Sequence, residues 1–157
     1  MFYNFFALGN DEFEELSRDI LSRDLGQEMR IFGKGADQGI DIADCKDGRT
    51  IIAQCKNYID TPTSNLMPAL TKEREKIEKL NPTEYYLFIN KDISPQKINN
   101  IYELFREWMT SKKNIYTRSD CDAFISKKRE PGHSTKISKY SKYEFTPRSN
   151  KQQHRHR

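Results

Sequence analysis

Three side chains in the stretch GADQGIDIADCKDGRTIIAQCKNY can be gathered by a single tight turn: the carboxylate of Asp41, the amide of Gln54 and the ammonium of Lys56. Asp47-Gly48 is the dipeptide that most favours a two-residue hairpin turn, because glycine adopts positive φ without steric cost. With Lys46 paired to Arg49, Asp41 stands directly across the ladder from Gln54 and shares its face. Lys56, two residues further on, falls on that face as well, roughly 7–8 Å diagonally from Asp41. A one-residue slip would put Asp41 across from Cys55 and turn it away from the other two. The register set by the turn also collects Ile51, Ala53 and Cys55 on the opposite, apolar face, so the chemical and hydrophobic patterns agree.

Such a set suits phosphodiester hydrolysis, in which a bound cation neutralises charge on the phosphate and lowers the pKa of the attacking water. Mg²⁺ prefers oxygen ligands, and Asp41 and the side-chain carbonyl of Gln54 are oxygen ligands. Lys56 could hold the water or stabilise charge developing on the phosphoryl oxygens. Gln54 is neutral, so a further carboxylate is wanted. The first helix offers one. From Asn10 or Asp11, either of which can cap, Phe13, Leu16, Ile20 and Leu21 form a stripe at helical spacing. Glu14 falls at the edge of that stripe, from which it can lean over the sheet, and Glu15 falls on the solvent side. Taken singly, an Asp near a turn, a Gln on a strand or a Lys at a strand end is more often structural than catalytic; their convergence is the signal.

The run FEEL…DIL…GADQGID…IIAQCKNY resembles the Mrr-type branch of the PD-(D/E)xK nuclease superfamily over about the first 120 residues. That resemblance implies an active site built from a helical Glu, an Asp after a glycine-rich loop and a Gln-x-Lys, which here are Glu14, Asp41, Gln54 and Lys56. It implies Mg²⁺ as cofactor, with Mn²⁺ as a substitute, and Glu14, Asp41 and Gln54 as its ligands. Double-stranded DNA is the implied substrate. The opening Phe-Phe-Ala-Leu…Phe-Glu, the Gln-Cys-Lys-Asn-Tyr and the later Lys-Glu…Lys run are similar to nuclease domains at the N-terminus of prokaryotic antiphage defence proteins. A homodimer, or a sensor or NTPase acting as partner or as a further domain, fits that likeness. Restriction or antiphage defence is the role it implies. A catalytically weak DNA-binding module that keeps the fold, and a resolvase or repair nuclease for branched DNA, are the competing readings.

Gly33, Gly35 and Gly39 permit close backbone approach to a phosphate, but no Gly-x-x-x-x-Gly-Lys-Ser/Thr is present and a nucleotide P-loop is not supported. Asp37, between two of these glycines, reads more readily as a turn former than as a ligand. The net charge of +4 conceals a split: residues 129–157 hold eight Lys/Arg against two Glu, a net of +6, which leaves −2 for the rest. All three histidines, His133, His154 and His156, fall in that tail, so His-based nucleases and Ser-His hydrolases are disfavoured. Cys45, Cys55 and Cys121 form no Cys-x-x-Cys pair and have no histidine spaced for zinc; reduced, buried or half-buried thiols of a cytoplasmic protein are expected. No stretch approaches the length that spans a bilayer.

The remaining elements must frame the hairpin. Leu66–Leu80 reads as a helix of alternating charges, taken as a solvated face. Residues 84–90 (EYYLFIN) are a buried central strand. Ser94-Pro95 opens an amphipathic helix with Ile98, Ile101, Tyr102, Phe105, Trp108 and Met109 on its core face. Residues 114–117 form a short strand, and Ser119 caps a last helix from Asp120 to Lys127. The expected fold class is α/β: a restriction-endonuclease-like core with a mixed sheet of four to five strands flanked by helices. Residues 1–128 make the domain and 129–157 a basic tail, flexible or partly docked around 140–145.

Overall fold

The computed structural model describes residues 2–3, 8–32, 40–58, 61–127 and 144–145. Asp47 and Gly48 take φ of 53° and 75°, the paired positive values of a type I′ turn. They join β3 (Ile42–Lys46) to β4 (Arg49–Lys56) with Lys46 opposite Arg49 and Ile42 opposite Ala53, the register expected from the turn. A short edge strand, β2 (Arg30–Ile31), pairs antiparallel with β3. On its other side β4 runs parallel to β5 (Glu84–Ile89), and β5 parallel to β6 (Ile115–Tyr116). The result is a mixed five-stranded sheet in the order β2-β3-β4-β5-β6. Parallel neighbours need crossovers, supplied by α2 (Leu66–Leu80) between β4 and β5 and by α3 (Pro95–Leu104) between β5 and β6. Separately, β1 (Phe2–Tyr3) pairs antiparallel with β7 (Glu144–Phe145).

Both faces of the sheet are covered. Helix α1 (Asn10–Leu25) and α4 (Arg118–Lys127) bury Phe13, Leu16, Ile20, Phe124 and Ile125 against Ile42, Ile51 and Ala53. Helices α2 and α3 bury Leu66, Leu70, Ile77 and Ile101 against Ile52, Tyr85 and Leu87. Strands apolar on both faces, such as β4 and β5, are what a sheet sandwiched between helices demands.

Several local expectations are corrected. Helix α1 is preceded by Gly9 with no side-chain cap, so neither Asn10 nor Asp11 serves that purpose. It ends at Gly26, whose φ of 64° lets the N–H groups of Gly26 and Gln27 reach back to the carbonyls of Arg23 and Ser22. Ser94 caps α3 by accepting from the Lys97 N–H, as Ser94-Pro95 suggests. That helix stops at Leu104, however, and Phe105, Trp108 and Met109 are buried from the turns that follow it. Helix α4 begins two residues early because the Asp120 carboxylate reaches back to the N–H and hydroxyl of Thr117; Ser119 donates to Asp92 instead. Cys45 is exposed, Cys55 half-buried and Cys121 buried. Gly33, Gly35, Asp37, Gly39 and the three histidines lie outside the described residues. No helix among the described residues is long and apolar enough to cross a membrane.

Candidate active site

The C-terminal end of β4 opens into a cavity of about 330 Å³ whose lining includes Glu14, Asp41, Cys55, Lys56 and Asn57. Asp41 precedes the first residue of β3, and its main-chain carbonyl still accepts from the Phe32 N–H. Its carboxylate does what the next rung of the ladder would do: Oδ2 accepts from the Cys55 N–H at 2.7 Å, one residue past Gln54, its expected neighbour. Anchoring to the β4 backbone holds the carboxylate in the cavity wall that Lys56 also forms. Lys56 ends β4 with its side chain 19% exposed.

Glu14 enters this wall from α1 and is half-buried, whereas Glu15 is exposed, the phase expected from helical spacing. What fixes α1 relative to β4 is Asn57. Its Nδ2 donates to the Leu8 carbonyl at 3.0 Å and to Asn10 Oδ1 at 3.2 Å, while its Oδ1 accepts from Asn90 Nδ2 at 2.7 Å. Asn90 is fully buried and is held in turn by Arg118, which donates to both its side-chain and main-chain oxygens. A satisfied chain of amides that runs from the surface at Asn10 to the buried Asn90 rigidifies the elements it joins. Glu14 and Lys56 therefore project from elements locked to one another.

Gln54 is not among the described residues lining the cavity. It is 2% exposed, on the α2 side of the sheet, with Oε1 accepting from the Tyr85 hydroxyl at 2.5 Å and Nε2 donating to Glu73 Oε2 at 2.8 Å. The other carboxylate oxygen of Glu73 accepts from Lys56 Nζ at 3.2 Å, and Lys76 approaches Oε2 at 3.6 Å. Burial pushes the Glu73 carboxyl up, but the Gln54 hydrogen bond and the charges of Lys56 and Lys76 outweigh it and hold the group below the ordinary carboxylate range. Burial, then the charges of Glu73 and Asp41, push the Tyr85 hydroxyl well up, so it remains a donor. By charge pattern alone Glu73 is one of many charges on a solvated face. A finer signal is present in the sequence: Leu66, Leu70 and Ile77 are the buried residues of α2, and Glu73 completes their i, i+4, i+7, i+11 stripe.

Beside its oxygen ligands the cavity lining holds the thiol of Cys55. Burial first, then the Asp41 charge, pushes the Cys55 thiol well up, which keeps it protonated and makes a thiolate nucleophile unsuited to this site. No group of three or more His, Cys, Asp and Glu residues that could hold a metal ion occurs among the described residues. Two carboxylates nonetheless fit a cation such as Mg²⁺, which binds through one or two carboxylates and completes its shell with water and substrate phosphate. A second depression, lined by Arg74, Glu103, Leu104, Arg106 and Glu107, has its charges paired as Arg74 with Glu107 and Arg106 with Glu103. It carries no comparable chemistry.

Residues 7–85, which span Glu14, Asp41, Gln54, Lys56 and Glu73, match the family model of the Mrr catalytic domain, described as a restriction endonuclease. An uncharacterized protein of Sinorhizobium fredii, y4cD, is 30% identical over 125 residues, covering 80% of this chain and 20% of that protein. The chain thus spans about a fifth of the length of this curated relative. The sheet order, the helices on both faces and the Gln-x-Lys at the end of β4 agree with the family match, which reaches half of the chain: it belongs to the restriction endonuclease family of the Mrr catalytic type, a nuclease fold.

Proposed function

We propose that the chain is a divalent-metal-dependent DNA endonuclease that hydrolyses phosphodiester bonds of duplex DNA. The observation that carries this reading is the meeting of Glu14 from α1 with Asp41 and Lys56 from the open end of the β3–β4 hairpin in one cavity wall. Asp41 and Glu14 would hold Mg²⁺, with Mn²⁺ as substitute. When bound, the ion supplies charge neutralisation at the phosphate and a lowered pKa for attacking water. Lys56, a compact ammonium at the rim, stabilises negative charge on the phosphoryl oxygens. Asn57 keeps the α1 carboxylate and the β4 lysine in register with one another. Gln54, expected as a third ligand, has its carbonyl engaged by Tyr85 and its amide by Glu73, so its contribution in this reading is to hold the lysine's partner.

The same engagement of Gln54 favours a second reading: a two-carboxylate site in a catalytically weak DNA-binding module that keeps the fold. Calorimetric titration with Mg²⁺ and Mn²⁺, alongside cleavage of plasmid, methylated plasmid and a four-way junction, separates the readings. Saturable metal binding abolished in Asp41→Asn, with cutting of linear duplex, supports the endonuclease; cutting confined to the junction would make it a resolvase. DNA binding without metal uptake or cutting would support the weak module. Severing both strands of a duplex needs two active sites or two successive nicks, and a homodimer would supply the pair. Restriction or antiphage defence in the cytoplasm, with a sensor or NTPase as partner or further domain, extends this reading, and the restriction endonuclease family match supports its restriction part.

A further inference from the structure

The Glu73 carboxylate is shared between Lys56 and Gln54. Its Oε1 accepts from Lys56 Nζ at 3.2 Å and its Oε2 from Gln54 Nε2 at 2.8 Å. Gln54 is pinned from the far side by the fully buried Tyr85, whose hydroxyl donates to Oε1. The four side chains thus form a line, Tyr85 to Gln54 to Glu73 to Lys56, running from the sheet interior to the cavity wall. Glu73 is 14% exposed by its side chain and sits on the buried stripe of α2 with Leu70 and Ile77. Glu73 is absent from the described cavity lining, whereas Lys56 is present. A carboxylate in this position reaches the reaction through the lysine.

We propose that Glu73 is a positioning residue that sets where the Lys56 ammonium stands at the cavity, with Gln54 and Tyr85 fixing Glu73 in turn. This rests on the nuclease reading of the same site. It gives the Gln-x-Lys pair a shared physical use: the two side chains leave β4 on one face, two residues apart, and a single carboxylate from α2 binds both. A carboxylate that is itself held at its other oxygen restrains a flexible four-carbon side chain at its end, where a displacement of about 1 Å can cost roughly 100-fold in rate.

The test uses Glu73→Gln, which keeps the shape and one carbonyl acceptor while removing the charge, and Glu73→Asp, which keeps the charge and shortens the reach. Melting temperature establishes that each is folded. At saturating DNA and Mg²⁺, Glu73→Gln should lower kcat by roughly 10- to 100-fold. KM for DNA and the half-saturating Mg²⁺ concentration should stay within about twofold, because Glu73 touches neither ligand. Glu73→Asp should recover part of the activity. Independently, reductive methylation followed by mass spectrometry should label Lys56 at least about threefold faster in Glu73→Gln, since a lysine released from a fixed ion pair is more accessible to reagent. Lys91, whose Nζ donates to the Thr61 carbonyl, is the internal reference. An active wild type whose Glu73→Gln retains full kcat, or shifts only its Mg²⁺ requirement, would overturn the positioning role. So would an unchanged Lys56 labelling rate. Faster Lys56 labelling in Glu73→Gln, with a wild type that cuts no DNA, would instead overturn the nuclease reading and leave the hold on the lysine standing.

Discussion

Replacing Gln54 with Leu keeps the volume and removes both of its polar atoms from the middle of the sheet. Two groups are then left without their partner. The Tyr85 hydroxyl, fully buried, has no acceptor, and an orphaned buried donor of this kind costs about 1–3 kcal/mol. Glu73 gives up a donor to a charged carboxylate, a hydrogen bond in the range of about 1.5–3 kcal/mol, but keeps Lys56 and partial access to solvent. A total of about 3 kcal/mol follows for Gln54→Leu, near the low end of the two ranges taken together because of that relief. With a urea m-value of about 2 kcal/mol per molar, the unfolding midpoint should fall by about 1.5 M with m unchanged. Removing the stranded hydroxyl as well should repair part of the damage, so Gln54→Leu with Tyr85→Phe should cost about 1–2 kcal/mol less than the two single effects added. Urea unfolding followed by fluorescence and circular dichroism measures all three variants. A Gln54→Leu midpoint within about 0.2 M of wild type, or strict additivity in the double variant, would refute the claim that the glutamine is held between Tyr85 and Glu73.

Glu14→Ala should reduce cleavage or raise the Mg²⁺ requirement while Glu15→Ala is silent, because only Glu14 lies in the cavity wall; the reverse order in a cleavage assay would place the other face of α1 at the site. The lowered pKa of Glu73 means that this group binds fewer protons when folded than when unfolded. Its stabilisation is therefore full above the ordinary value of 4.5 and disappears as pH falls through the folded value, so the stability gap between wild type and Glu73→Gln should shrink below about that pH in urea melts. Deleting residues 129–157, which carry +6, should weaken DNA association and flatten the slope of log affinity against log salt by about 0.9 for each phosphate that the tail neutralises. An unchanged slope would show that the tail does not touch the backbone of DNA.

The hairpin is legible in the sequence because one dipeptide sets both its turn and its register, and the register carries the alternation of every residue in β3 and β4. The phase of α1 is legible for a similar reason, since four apolar residues at helical spacing leave Glu14 and Glu15 no freedom to exchange roles. Glu73 is not, because α2 carries seven charged residues between Lys72 and Lys79, and nothing local says which of them the helix turns to the sheet. That depends on how α2 crosses β4, a long-range matter, and only the stripe with Leu66, Leu70 and Ile77 hints at it. For Asp41 the spacing identifies the correct strand end but not the local geometry: its side chain bonds the Cys55 amide and does not simply face Gln54. Side chains that substitute for main-chain partners leave no periodic trace.

The central claim is that Asp41 and Lys56 serve phosphodiester hydrolysis together. Asp41→Asn tests it most directly, because the asparagine can still accept from the Cys55 N–H and so preserves the closing hydrogen bond of the hairpin while removing the charge. The measurement is nicking and linearisation of supercoiled plasmid by wild type and Asp41→Asn in Mg²⁺ or Mn²⁺, with melting temperatures matched. Cleavage by the wild type and a reduction of at least about 100- to 1,000-fold in the variant is the predicted result. Equal cleavage by the two proteins, or no cleavage by the wild type in either metal, would contradict it.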